Sequence, residues 1–192
     1  MPDSRPAAAF LETGRLRLRA FTPDDAERLR ELDSDPDVMR FLTGGAPTGM
    51  DVVRERVLPR LLHVHPCLGT RGYWAAEERG GGEFLGWFEF RPLDEGTPAV
   101  VELGYRLRKS AWGRGYATEG SRALIDKGFA ELGVERVTAN TMAVNSGSRR
   151  VMEKSGLVLL RSFTGEWPDP IPGSEHGEVE YGLTRAEWSR GR

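Results

Sequence analysis

Arg108-Lys109-Ser110-Ala111-Trp112-Gly113-Arg114-Gly115-Tyr116-Ala117-Thr118-Glu119 is the stretch on which the reading of this chain turns. Ala99 to Arg108 before it reads as a long strand. After it, Leu124, Ile125, Gly128, Phe129 and Leu132 recur at helical spacing, with Glu119, Arg122, Asp126 and Lys127 on the opposite face. A strand therefore ends, a glycine-rich turn follows and a helix begins. The first turn of a helix has four amides without internal partners, and with the helix dipole they favour an anion. Glycine at 113 and 115 removes side chains that would hold a phosphate away from the backbone. Ala117 lets the helix pack closely, and Arg114 adds charge, helped by Arg108 or Lys109. By itself G-x-G-x-A is shared with ordinary turns. The sequence has no G-x-x-x-x-G-K-[ST] and no G-x-G-x-x-G in a repeated parallel βαβ setting, which argues against nucleotide hydrolysis and hydride transfer.

Upstream, Arg15-Leu16-Arg17-Leu18-Arg19 alternates strictly and predicts a strand whose arginines form a solvated face. Thr22-Pro23-Asp24-Asp25 starts a helix with Ala26, Leu29 and Leu32 on its apolar side, ended by Asp35-Pro36. Residues 41 to 50 read as a loop, and 51 to 65 as a helix interrupted at Pro59. Tyr73 to Glu78, the turn at 79 to 83 and Phe84 to Arg91 predict a hairpin, continued through a second turn into the Ala99 strand. Downstream, Gly133 stops the long helix. Arg136 to Met142 is a strand, Ser146 to Ser155 a short helix, and 157 to 162 and 179 to 184 are strands. The order predicts one mixed α/β domain over 13–192 behind a flexible tail, 1–12.

The chain has 192 residues, long enough for one domain with a real core. Its 27 basic and 29 acidic residues give a net charge of −2, which argues against dedicated nucleic-acid binding. Cys67 is the single cysteine, so neither an intramolecular disulfide nor a cysteine metal cluster can form. His63 and His65, read on a helix, point to different sides, and with His176 they make no expected metal site. No apolar run has membrane-spanning length and no leader-like segment opens the chain, so the expected location is the cytoplasm.

Residues 102 to 157 resemble the core of the GNAT acetyltransferases, and more narrowly their Rim-type ribosomal-protein N-acetyltransferase branch. The family's Q/R-x-x-G-x-G/A signature is matched by Trp112-Gly113-Arg114-Gly115-Tyr116-Ala117, with Trp112 departing from Gln or Arg; an aromatic is common there in the branch. Asn145-Ser146-Gly147-Ser148-Arg149-Arg150-Val151-Met152-Glu153-Lys154-Ser155-Gly156-Leu157 resembles the branch's N-x-x-S-x-x-x-x-E-K-x-G-[FL]. Leu16 to Arg19, Pro23 to Ala26 and Tyr181 to Trp188 match it as well. The resemblance implies the GNAT fold: a mostly antiparallel twisted sheet of about six or seven strands, flanked by helices and splayed at a cofactor groove.

It also implies an acetyl-CoA-dependent N-acetyltransferase that moves an acetyl group directly to a primary amine, a protein N-terminus or a small molecule. The alternative is a catalytically silent acyl-CoA-binding or partner-binding module. No metal or membrane is implied, and a homodimer is compatible with the resemblance. Leu103, Gly104, Tyr105 and Arg106 should line the acetyl and pantetheine arm, and Arg108 with residues Trp112 to Thr118 should hold the diphosphate. A main-chain amide at Gly104 or Tyr105 would donate to the thioester carbonyl. Gly104 within a strand fits a bulge or a close ligand approach, or equally a packing kink. Glu102 is the nearest carboxylate for the amine's proton and Glu89 a second; some relatives use no protein base. Asn145 should bind the pantetheine arm or help to order it and Ser148 should donate to the sulfur, although Asn145 also reads as an ordinary N-cap and Ser148 as an ordinary first-turn residue. Cys67 is read as a bystander. The early helices, residues 41 to 50, the strands that carry Trp74 and Trp87, the Trp167 loop and the acids of 166 to 180 are expected to meet the acceptor.

Overall fold

The structure is a computed structural model and describes residues 8–165 and 167–191. Its centre is an eight-stranded sheet in the order β1-β2-β5-β6-β7-β8-β10-β9. The strands are β1 (Ala9–Glu12), β2 (Leu16–Arg19), β5 (Tyr73–Glu78), β6 (Phe84–Asp94), β7 (Thr97–Leu107), β8 (Arg136–Met142), β9 (Val158–Phe163) and β10 (Glu178–Thr184). A separate two-stranded ribbon joins β3 (Val64–His65) to β4 (Thr70–Arg71). Every pairing in the main sheet is antiparallel except β7 with β8.

Alternation along the strands divides the apolar residues between two faces. One face of β2, β6 and β7 (Leu16, Leu18, Phe88, Phe90, Val101, Leu103) packs on α5 (Tyr116–Glu131) and on Met152 of α6 (Ser146–Lys154). The other gathers Tyr73, Ala75 and Trp87 against α1 (Ala26–Leu32), Val38 of α2 (Pro36–Thr43), and Val53, Leu58 and Leu61 further on. The result is three layers. Close docking of α5 on β6 needs bare backbone: a Cβ on Gly120 would lie 2.3 Å from Phe88 Cζ, and one on Gly128 would lie 2.5 Å from Phe90 Cζ. Burying each of those phenyl rings contributes roughly 1.5–3 kcal/mol.

Several sequence expectations change. Residues 9–12, assigned to the tail, form the edge strand β1, with Phe10 stacked on Trp74 at 3.6 Å; residues 1–7 lie outside the described residues. Trp74 itself is a core residue. The loop expected over 41 to 50 begins as helix, because Asp35 caps α2 with its carboxylate on the Asp37 amide at 2.9 Å and Pro36 takes the first helical position. Pro59 does not interrupt its helix. A π turn at Val53–Val57, with Leu58 N–H reaching the Val53 carbonyl, joins α3 (Met50–Val52) to α4 (Leu58–Leu62) just before the proline's missing donor. Arg19 leaves the supposed solvated face. Its guanidinium is buried in a fork on Asp25, with two bonds of 2.8 Å, and also meets Glu77 at 2.7 Å. A last helix, α7 (Arg185–Arg190), is capped by Thr184. No helix among the described residues is long and apolar enough to cross a membrane.

Candidate active site

β7 and β8 run together for only a short distance, at Val100 with Arg136, Val101 with Val137 and Glu102 with Thr138. Beyond Glu102, β7 stays bound to β6 as far as Leu107, while β8 continues to Met142 alongside β10. The sheet thus opens between them, and Leu103 to Leu107 present a strand edge to the opening. Leu103 is a core side chain, so only its main chain faces the gap.

Beyond the end of β7, a 3-10 turn (Lys109–Ala111) leads to Gly113 and Gly115, with φ of +70° and +83°. That is the left-handed region, which side-chain-bearing residues resist; glycine here serves the turn's conformation as well as close approach. α5 begins at Tyr116 with no side-chain cap, so its first main-chain N–H groups have no earlier helical turn to bond and lie at this glycine turn. Trp112 donates its indole N–H to the Leu107 carbonyl at 2.8 Å and leaves its ring half exposed. Tyr116 is buried, with its hydroxyl on Glu78. Ala117 packs against the core, and Thr118 lines an open cavity of about 610 Å³ with Thr13, Arg122 and Lys154.

The basic residues around the turn are largely engaged. Arg108 pairs with Glu83 at 3.0 Å and Lys109 with Asp37. Arg114 lies over the Tyr116 ring, 5.1 Å from its centroid. Arg106 is held by the buried Asp33 at 2.6 Å and lies over Trp87, so its side chain braces α1 against β7 rather than entering the opening. Arg15 was missed by sequence reasoning. It grips Glu119 at 2.6 Å, covers Tyr116 and donates to the Arg114 carbonyl at 2.8 Å, so it fixes the turn from outside. Strand alternation records that Arg15 faces away from Leu16 but carries no signal for a partner about a hundred residues on.

Two polar clusters flank the opening. On the α6 side, the Tyr105 hydroxyl lies 2.9 Å from the Ser148 carbonyl oxygen and 3.0 Å from Ser148 Oγ. Burial pushes the Tyr105 phenol well above its ordinary range. Asn145 caps α6, accepting from Ser148 N–H at 3.2 Å and donating to Thr141 at 3.1 Å. On the other face, Glu89 accepts from Tyr73 at 3.0 Å and Arg91 at 2.6 Å, and Arg91 also binds Glu102. Burial, then the Glu102 charge, raises the Glu89 carboxyl, and the same two causes raise Glu178 on β10. Gly104 pairs with Glu89 without a bulge; a Cβ there would lie 2.8 Å from Glu89 Oε2. That glycine makes room for Glu89 beside the strand edge.

Of the remaining acceptor candidates, Trp87 belongs to the α1 face. Glu166 lies outside the described residues, but the loop beyond it brings Ile171 to α2, with its Cγ2 3.4 Å from where a Gly44 Cβ would sit. His63 and His65, expected to diverge on a helix, both face Glu95 because the chain there is extended. Cys67 contacts the Asp94 carbonyl at 3.7 Å, in the same region.

Residues 15–158 match the family model described as an acetyltransferase (GNAT) domain. The chain is 35% identical over 190 residues to the FsC-acetyl coenzyme A-N(2)-transacetylase of Aspergillus fumigatus, covering 96% of this chain and 80% of that protein. It is 29% identical over 179 residues to the putative ribosomal N-acetyltransferase YdaF of Bacillus subtilis, covering 90% and 93%. A solved GNAT-family acetyltransferase from Bacillus anthracis shares its fold with a TM-score of 0.76 at 24% identity, over 92% of this chain and 98% of that one. With the opened sheet and the helix-start amides of the turn, these matches establish that the chain belongs to the GNAT acetyltransferase family and is an N-acetyltransferase that uses acetyl-CoA.

Proposed function

We propose that the enzyme acetylates a small cationic amine, and that the acid pair Glu89–Glu102 receives that amine. The carrying observation is the pair of carboxylates Glu89 and Glu102 beside the β7–β8 opening, both bound by Arg91, with the Glu102 charge felt by Glu89 and by Glu178 on β10. An excess of negative charge in a half-buried site attracts an ammonium and disfavours a neutral acceptor. The 35% identical relative is named an N(2)-transacetylase, which supports a nitrogen acceptor, and the choice of a cationic amine rests on the charge of the site.

Acetyl-CoA supplies the activated acyl group. In this reading, the main-chain amides of residues 113 to 118 hold its diphosphate. The main chain of Leu103 to Arg106 lies along its pantetheine arm, and an amide at Gly104 or Tyr105 donates to the carbonyl oxygen as charge develops there. Glu89 takes the proton of the attacking amine, directly or through water, with Glu102 holding Arg91 and raising Glu89's proton affinity. The structure supports Glu89 in this role ahead of Glu102, because Gly104 gives Glu89 alone a place against the strand edge. Ser148 donates a hydrogen bond to the departing sulfur, the Tyr105 hydroxyl 3.0 Å away holds Ser148 Oγ in place, and the thiolate leaves with CoA to take its proton from solvent. Asn145 fixes the start of α6, and so Ser148. Edge strand β9, with Val158, Leu159 and Leu160 exposed in succession, is the surface we assign to a second copy in a homodimer.

A thiol-release assay over a panel of amines tests the reading. Polyamines and amino sugars should be turned over with higher kcat/KM than neutral amines, and Ser148→Ala should lower kcat about a hundredfold with little change in KM for acetyl-CoA. Preference for peptide N-termini would overturn the acceptor class, and unchanged turnover in Ser148→Ala would overturn the role of Ser148.

A further inference from the structure

We propose that His63, His65 and Glu95 form a binding site for a divalent transition-metal ion of the zinc class at the tip of the β6–β7 hairpin, away from the acetyl-transfer groove. The three side chains present His63 Nε2, His65 Nδ1 and Glu95 Oε1 within 4.8 Å of one another. His63 Nε2 lies 3.3 Å and His65 Nδ1 2.9 Å from the same carboxylate oxygen.

The local fold explains the convergence. α4 ends at Leu62, and His63 takes extended φ/ψ before β3 begins. In extended chain, residues two apart point to the same side, so the His-Val-His spacing that diverges on a helix brings both donors together, the two rings edge to face with centroids 4.7 Å apart. His65 is well fixed. Its carbonyl accepts from Leu68 at 3.1 Å and Gly69 at 3.0 Å, and its ring is 5% exposed. The ring lies across Gly72, where a Cβ would come within 2.6 Å of Nε2. Glu95 arrives from the hairpin tip, whose turn is closed by the Gly96 amide on Asp94 at 2.8 Å. One donor is therefore rigid and buried, while the side chains of His63 and Glu95 are half exposed and can adjust to an ion.

Two imidazoles and one carboxylate form a borderline donor set, suited to zinc, nickel or copper and not to magnesium or calcium, and three protein ligands leave a position for water. The site has a cost that sets its strength. His65 Nε2 is buried without a hydrogen-bond partner. Coordination through Nδ1 puts the ring proton on that nitrogen, and ligating histidines ordinarily donate this second N–H. Affinity should accordingly be micromolar and not that of a closed structural zinc site. The ion would tie the end of α4 to the hairpin, so its effect is on stability. A Cβ on Gly72 would also lie 2.5 Å from Arg91 Cβ, so the same bare backbone accommodates the His65 ring and the arginine that binds Glu89 and Glu102.

The test is isothermal titration of Zn2+ into tag-free, chelator-treated enzyme, with melting followed in parallel. One ion per chain is expected, with a Tm rise of about 5 °C when free zinc exceeds Kd a hundredfold. His63→Ala and Glu95→Gln, both at exposed positions, should each weaken binding about tenfold or more, whereas Cys67→Ser should leave it intact. Absence of binding at 100-fold molar excess of zinc, or binding unchanged in the His63→Ala/Glu95→Gln double variant, would overturn the site. These readouts are independent of acetyl transfer, so they do not depend on the acceptor reading.

Discussion

At the scale of single residues, the proton chemistry depends on how one carboxylate is surrounded. Glu89 faces Tyr73, Arg91 and Glu102, and burial with the Glu102 charge raises its carboxyl above the ordinary carboxylate range despite the bonds from Arg91 and Tyr73. A base must be ionised to act, so kcat/KM should fall as pH drops through a value above the ordinary carboxylate range. Glu89→Gln should remove that acid limb and lower kcat/KM about a hundredfold. Glu102→Gln should keep most of the rate and move the limb to lower pH, since the repulsion that raises Glu89 is gone. If Glu102→Gln abolishes activity and Glu89→Gln does not, the assignment is reversed. Stability carries the opposite sign. A folded-state value raised above the unfolded one gives a contribution complete below pH 4.5 that is lost as pH rises through the folded value. Thermal unfolding at pH 8 should therefore show Glu89→Gln at least as stable as wild type.

At the scale of elements, the strand, turn and helix around residues 108–119 were legible in the sequence because each rests on local chemistry. Period-two alternation, two glycines and a 3.6-residue apolar stripe require no knowledge of distant contacts. The hairpin of β5 and β6 and the cap at Asn145 were legible for the same reason. What local pattern could not reveal depends on partners far along the chain: Arg15 bracing the turn, Tyr105 meeting Ser148, Arg19 buried on Asp25, and Glu89 resting against Gly104. The loop at 41 to 50 was misread because α2 was not expected at all, its Asp35-Pro36 start having been taken as the end of the preceding helix, and the histidine pair because α4 ends at Leu62 and not at residue 65. The turn itself gives a prediction. Gly115→Ala has to hold φ near +83°, a strain of about 1–2 kcal/mol on the turn. It should raise KM for acetyl-CoA with kcat retained at saturation. Equal kinetics to wild type would mean that the turn's conformation does not govern cofactor binding.

At the scale of the whole molecule, β7 separates two regions that a reading of reactive residues alone could confuse. Its outer end, at Thr97, adjoins the hairpin tip where Cys67 contacts Asp94, and its inner portion carries Tyr105 beside Ser148. Eight residues of extended strand at about 3.4 Å each separate Thr97 from Tyr105 by roughly 27 Å. That distance is too great for a thiol at the tip to attack a thioester held at the strand edge. The thiol is also poorly disposed to react, because burial and the Glu95 charge both raise its pKa. Geometry and ionisation therefore both count against Cys67 as an acyl carrier, and direct transfer within a complex holding both substrates is the expected outcome. Initial-rate plots should intersect rather than run parallel, and intact-mass spectra of enzyme mixed with acetyl-CoA alone should show no stable acetyl adduct. Cys67→Ser should retain kcat within about twofold, as expected of a surface change that touches neither the groove nor the core. A stable acetyl group on Cys67, or parallel plots with loss of activity in Cys67→Ser, would require the chain to bring its hairpin tip to its cofactor turn, a rearrangement that the continuous pairing of β6 with β7 opposes.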